Sequence, residues 1–136
     1  MDLHYKVSGT DFTTAGKASQ EIKKTLQRLG LDSAVIKRAA VAMYEAEMNM
    51  AVHGGGGEAS VEILDDRIII VMEDHGPGIA DIGKAMEEGY STAPKEVREL
   101  GFGAGMGLPN MKRNSDEMTI DSHPGKGTKV TMVIKL

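Results

Sequence analysis

The chain has 136 residues, 40% hydrophobic and 26% charged, with a formal net charge of -4 and no cysteine. That length suffices for one core burying about two-thirds of the surface exposed by the unfolded chain, so a single domain spanning residues 1–136 is expected. The acidic balance excludes a bulk electrostatic footprint for nucleic acid, the lack of cysteine excludes disulfides and cysteine-based zinc sites, and the longest apolar run, Ile68 to Met72, is too short to cross a bilayer; a cytoplasmic protein without membrane attachment is expected.

Leu3, Tyr5 and Val7 alternate with polar residues and predict a short opening strand. Ala15, Ala18, Ile22, Leu26 and Leu29 then recur at helical spacing, and Gly30 supplies a stop. Asp32 or Ser33 can cap a longer helix carrying Ile36, Ala39, Ala40, Met43, Ala46, Met50 and Val52 on its periodic positions, with the glycines Gly54 to Gly57 ending it. The stretch VEILDDRIIIVMED reads as a hairpin turning at Asp65-Asp66, its second strand delivering Glu73 and Asp74 to the sheet end.

Eight of the seventeen glycines fall between Gly76 and Gly107, a length of loop that favours a functional lid. Pro109 suits the first turn of a helix reaching about Asn114, and MTIDS and TKVTMVIKL predict two strands around the turn HPGKG. Five strands and three or four helices, helices early and strands late, give an α+β layered domain with helices covering one sheet face. The ten methionines beside two Phe and no Trp suit a core filled by flexible side chains, or an adaptable partner-binding surface.

Three motifs carry chemistry. In YEAEMNMAVHG, Glu45 and Asn49 lie four apart and project from one helical face, where a carboxylate can act as general base and an amide oxygen as a magnesium ligand; a solvated polar stripe shared with Glu47 is the alternative. In DHGPGI, Asp74 ends an apolar strand, and Gly76 and Gly78 allow a flat ligand to approach while the carboxylate accepts from an exocyclic amine such as adenine's. In GFGAGMGLPNMKR, Gly101, Gly103, Gly105 and Gly107 alternate before a helix, leaving N–H groups free to meet phosphate oxygens. Gly78, Gly83 and Lys84 mimic a P-loop, but Ala85 lacks the metal-binding hydroxyl such a loop requires.

In this order the motifs, with HPGKGTKV after them, resemble the boxes of the Bergerat-fold ATPases, which include gyrase, the heat-shock chaperone, MutL and the histidine kinases. DFTTAGKASQEI, MEEGYST and SDEMTIDSHPGKGT are most similar to the small serine/threonine kinases that regulate bacterial sigma factors, including the switch kinases acting on STAS-domain proteins. The resemblance implies a two-layer α/β sandwich with a mixed sheet and helices on one face, and an ATP lid over about residues 79–102. It implies ATP and Mg2+ as cofactors, a STAS-like or sigma-factor partner, and a homodimer as a further expectation.

Residue by residue, the resemblance makes Glu45 the general base, Asn49 the magnesium ligand and Asp74 the adenine acceptor. Gly76 and Gly78 would shape the adenine pocket, Gly103, Gly105 and Gly107 would cradle phosphates, and Thr128 would support the base. Lys95, Arg98, Lys112 and Arg113 are the basic candidates for the γ-phosphate. A binding module that uses nucleotide only to set a partner surface is the competing function.

Overall fold

The computed structural model describes residues 1–9, 14–52, 55–76, 107–123 and 125–136. Its strands are β1 (Asp2–Ser8), β2 (Gly56–Ile63), β3 (Arg67–Asp74), β4 (Glu117–Ser122) and β5 (Thr128–Lys135), and its helices are α1 (Lys17–Arg28), α2 (Ser33–Val52) and α3 (Gly107–Asn114). The strands form one sheet in the order β1-β2-β3-β5-β4.

Every pairing in that sheet is antiparallel, where a mixed sheet was expected. The connections explain the difference. β2 and β3, like β4 and β5, are joined by short turns that reverse the chain, and β1 reaches β2 through two successive helices, α1 and α2, rather than the single crossover helix that joins parallel neighbours.

Period-two alternation turns one row of each strand toward the helices. Ile68, Ile70 and Met72 of β3 and Val130, Met132 and Ile134 of β5 are buried, as are Ala59 and Val61 of β2. α2 lies over this face and packs against β1, β2, β3 and β5 and against both other helices. Its start is fixed by Asp32, whose Oδ1 accepts the Ala34 N–H at 2.7 Å. α1 covers the rest of the core with Ala18, Ile22 and Leu26.

Six of the ten methionines, Met43, Met48, Met50, Met72, Met111 and Met132, are buried, which assigns most of that unusual composition to packing. The glycine run also reads differently in three dimensions. α2 stops at Val52, and Gly56 and Gly57 open β2 rather than simply ending the helix. A side chain on Gly57 would collide with the Glu73 carbonyl of β3, so glycine here permits strand contact beside Asp74. Among the described residues no helix is long and apolar enough to cross a membrane.

Candidate nucleotide and phosphotransfer site

Asp74 continues the inward row of Ile68, Ile70 and Met72, so the sheet's pleat places a carboxylate at a position otherwise filled by apolar side chains. It is only 8% exposed. Its Oδ1 accepts the Gly76 N–H at 3.0 Å and the Thr128 N–H at 3.2 Å. Burial pushes the carboxyl above the ordinary aspartate range, opposed by those two N–H bonds and by His75, while Glu73 adds to the rise. Both N–H donors converge on one oxygen, and among the described residues Oδ2 is left to accept from a ligand.

The neighbouring backbone is shaped to leave room. Gly127 has φ +86°, and a side chain there would collide with the Asp74 carbonyl, so the turn before β5 closes directly onto the end of β3. Thr128 is buried at the head of β5's inward row, and its hydroxyl pairs with Ser122 Oγ at 2.8 Å. Thr128 therefore orients Asp74 through its backbone while its side chain is held by β4.

Glu45 and Asn49 are half-buried on α2, one turn apart. The Glu45 Oε1 accepts the Asn110 Nδ2–H at 3.3 Å from α3, and the Asn110 Oδ1 accepts from Arg113 Nη1 at 3.2 Å. Burial raises the Glu45 carboxyl above its usual range and the Asn110 bond lowers it. Met50, next along α2 from Asn49, approaches Gly57, which pairs with Asp74 across β2 and β3. The same helix thus carries the carboxylate and amide and reaches the aspartate end of the sheet.

Gly107 opens α3 three residues before Asn110, so the last of the alternating glycines supplies a helix N-terminus beside this group. Gly78, Gly103 and Gly105, the lid over about residues 79–102, and Lys95 and Arg98 lie outside the described residues. Of the basic candidates, Lys112 and Arg113 are in the last turn of α3, where Arg113 reaches Asn110.

The donor set fits magnesium bound chiefly through substrate. Among the described residues no cluster of three His, Cys, Asp or Glu could hold a metal alone. A single amide oxygen at Asn49 beside a carboxylate at Glu45 suits an ion that keeps waters and phosphate oxygens as its remaining ligands.

Three participants were not visible as such in the sequence. Glu47, assigned with Glu45 to a solvated stripe in the alternative reading, is 2% exposed and faces α1 instead. Asn110 and Ser122 support site residues from elsewhere in the chain. The three-residue spacing of Asn110 and Arg113 on a helix was the available signal for one of these bonds; the 65-residue separation of Asn110 from Glu45 left none for the other.

A two-layer domain of antiparallel strands under helices, with a buried aspartate at a strand end and a Glu/Asn pair on the central helix, is the arrangement of a nucleotide-binding ATPase. Residues 34–136 match the family "Histidine kinase-, DNA gyrase B-, and HSP90-like ATPase", and the chain belongs to that family. It is similar to the serine/threonine-protein kinase RsbT of Bacillus subtilis, at 34% identity over 85% of this chain and 84% of that one. It is also 38% identical to an anti-sigma F factor of Caldanaerobacter subterraneus over 67% of this chain and 64% of the relative. These matches bear out the resemblance drawn from the motifs.

The fold is shared with the RsbU and RsbW domains of a Mycobacterium tuberculosis protein, at TM-score 0.68 and 18% identity, covering all of this chain and 32% of that one. It is shared too with a chain of the SiaB-SiaC complex of Pseudomonas aeruginosa, at TM-score 0.58 and 10% identity over 98% of this chain and 89% of that one.

Proposed function

We propose that this protein is a cytoplasmic, magnesium-dependent kinase that transfers the γ-phosphate of ATP to a serine or threonine of a small STAS-like regulatory partner in sigma-factor control. The observation that carries the proposal is Glu45. Its carboxylate is half-buried on α2, its pKa is raised above the usual range by burial, and it is oriented by a hydrogen bond from a different helix. A residue serving only as a solvated face needs none of these.

In this reading Asp74 accepts the adenine amino group, with Gly76, Gly78 and Thr128 forming the walls around it. Asn49 holds magnesium, which when bound neutralises charge on the transferred phosphoryl group. Gly103, Gly105 and Gly107 offer backbone N–H groups to the phosphates. Glu45 removes the proton from the partner's hydroxyl as its oxygen bonds to the γ-phosphorus; the bond from that phosphorus to the bridging oxygen breaks, and ADP departs with the electron pair. Positioning and charge neutralisation supply most of the acceleration, so the residues need only hold their places.

The test is transfer of labelled γ-phosphate to STAS-domain proteins from the same cell. Glu45→Ala should lower the transfer rate by about 100-fold or more, within the range typical for loss of a general base, while ATP still binds. Because Glu45 works ionised and its folded pKa is raised, transfer should fall as pH drops through a value above the ordinary glutamate pKa of about 4.3. ATP binding by wild type with no phosphate on any STAS-domain protein would favour the nucleotide-dependent binding module instead.

A further inference from the structure

We infer that Asn110 is a positioning residue for the proposed base, holding Glu45 through Oε1 so that Oε2 is the oxygen presented to the substrate hydroxyl, with Arg113 fixing the direction of the amide. The inference rests on the reading of Glu45 as base and gives Asn110, which stands in the third motif without a role there, a part in the reaction.

The chemistry of the donors fixes the arrangement. An Asn amide can face either way, and its oxygen and nitrogen are interchangeable in shape. A guanidinium can only donate, so Arg113 Nη1 at 3.2 Å requires the Asn110 oxygen on its side. That leaves the Asn110 NH2 for Glu45, which as a carboxylate can only accept, at 3.3 Å. Reversing the amide would break both bonds together. The chain Arg113, Asn110, Glu45 therefore has one satisfied orientation.

The location gives the chain a purpose beyond packing. Asn110 lies in the first turn of α3, which opens at Gly107, the last glycine of the alternating segment. Glu45 is on α2, one turn before Asn49. The Asn110 bond thus joins the base to the helix that follows the alternating glycines in the sequence. Helix stability does not require an asparagine here, since Asn is a weaker helix former than Ala. The helix end is closed separately, by Asn114 Nδ2 donating to the Asn110 carbonyl at 2.8 Å and Ser115 Oγ to the Met111 carbonyl at 2.7 Å. Among the described residues the side chain of Asn110 is therefore free of capping duty and engaged by Glu45 and Arg113.

The experiment compares wild type, Asn110→Leu, Glu45→Gln and the double variant in transfer to the STAS-domain protein that accepts phosphate. Asn110→Leu keeps the approximate volume and removes the donor. It should lower kcat about tenfold, the usual effect of losing a hydrogen bond to a charged group, with KM for ATP unchanged. In the Glu45→Gln background the same substitution should change kcat less than twofold, because it acts through the carboxylate.

A second readout needs no nucleotide. The Glu45 side-chain carboxyl resonance in 13C-glutamate-labelled protein, assigned by its loss in Glu45→Gln, should titrate at higher pH in Asn110→Leu, since a bond favouring the ionised form is gone. Wild-type kcat and an unmoved titration in Asn110→Leu, beside a Glu45→Gln slowed about 100-fold, overturn the positioning role alone. An equal loss in both backgrounds also overturns it, in favour of a structural role. Full transfer by Glu45→Gln overturns the base assignment on which both rest.

Discussion

Asp74 shows how one residue can be read from sequence while its mechanism cannot. Its place at the end of IIIVMED marks it as a strand-end carboxylate, but only the structure shows that Oδ1 is already occupied by two backbone N–H groups while, among the described residues, Oδ2 accepts none. Asp74→Asn separates the two tasks. The amide oxygen can replace Oδ1 and keep Gly76 and Thr128 in place, while the NH2 group puts a donor where adenine also donates. The expected result is a loss of ATP affinity of about tenfold or more by calorimetric titration, with the melting temperature of the nucleotide-free protein changed little. Equal ATP affinity in variant and wild type would remove Asp74 from adenine recognition.

At the scale of elements, the periodicities of α1, α2 and the strands were legible because burial demands them, and five strands and three helices appear within the described residues, while the possible fourth helix, at Ile82, Ala85 and Met86, lies outside them. What was not legible is how one element finishes another. α1 begins after Gly16 at φ 94° with no capping side chain of its own. Its N–H groups are instead satisfied from α2, where Glu47 Oε2 accepts from Gly16 at 2.8 Å and Ala18 at 3.2 Å, and Oε1 from Ser19 at 3.0 Å. Along the sequence Glu47 is a polar residue two places from Glu45; on the helix that step of about 200° turns it to the opposite side. The carboxylate also meets the positive end of α1. Glu47→Ala leaves three buried donors without a partner and should cost about 3 kcal/mol of unfolding free energy, with Glu47→Gln losing about half as much because one oxygen remains. Urea denaturation measures both, and a Glu47→Ala protein as stable as wild type would rule out this bridge as a determinant of stability.

At the scale of the molecule, the family match and the folded core have different extents. The match covers residues 34–136, so β1 and α1 lie before it. Yet Val7, Ala18, Ile22 and Leu26 share one hydrophobic cluster with α2, β3 and β5, and β1 pairs with β2 along its whole length, from Asp2 opposite Glu62 to Ser8 opposite Gly56. Removing residues 1–30 would expose the face of α2 that meets α1, Glu47 included, and take away the three donors that Glu47 binds. Losing the burial of Val7, Ile22 and Leu26 alone costs on the order of 6 kcal/mol, comparable to the whole stability of a small domain at about 5–15 kcal/mol. A chain beginning at Leu31 is therefore expected to lack a cooperative thermal transition and to bind no ATP, although it retains Glu45, Asn49, Asp74 and Thr128. Circular dichroism melting and ATP titration of that fragment decide the matter: a sharp transition with wild-type ATP affinity would mean that β1 and α1 are accessory, and that the site is organised by α2 and the remaining strands alone.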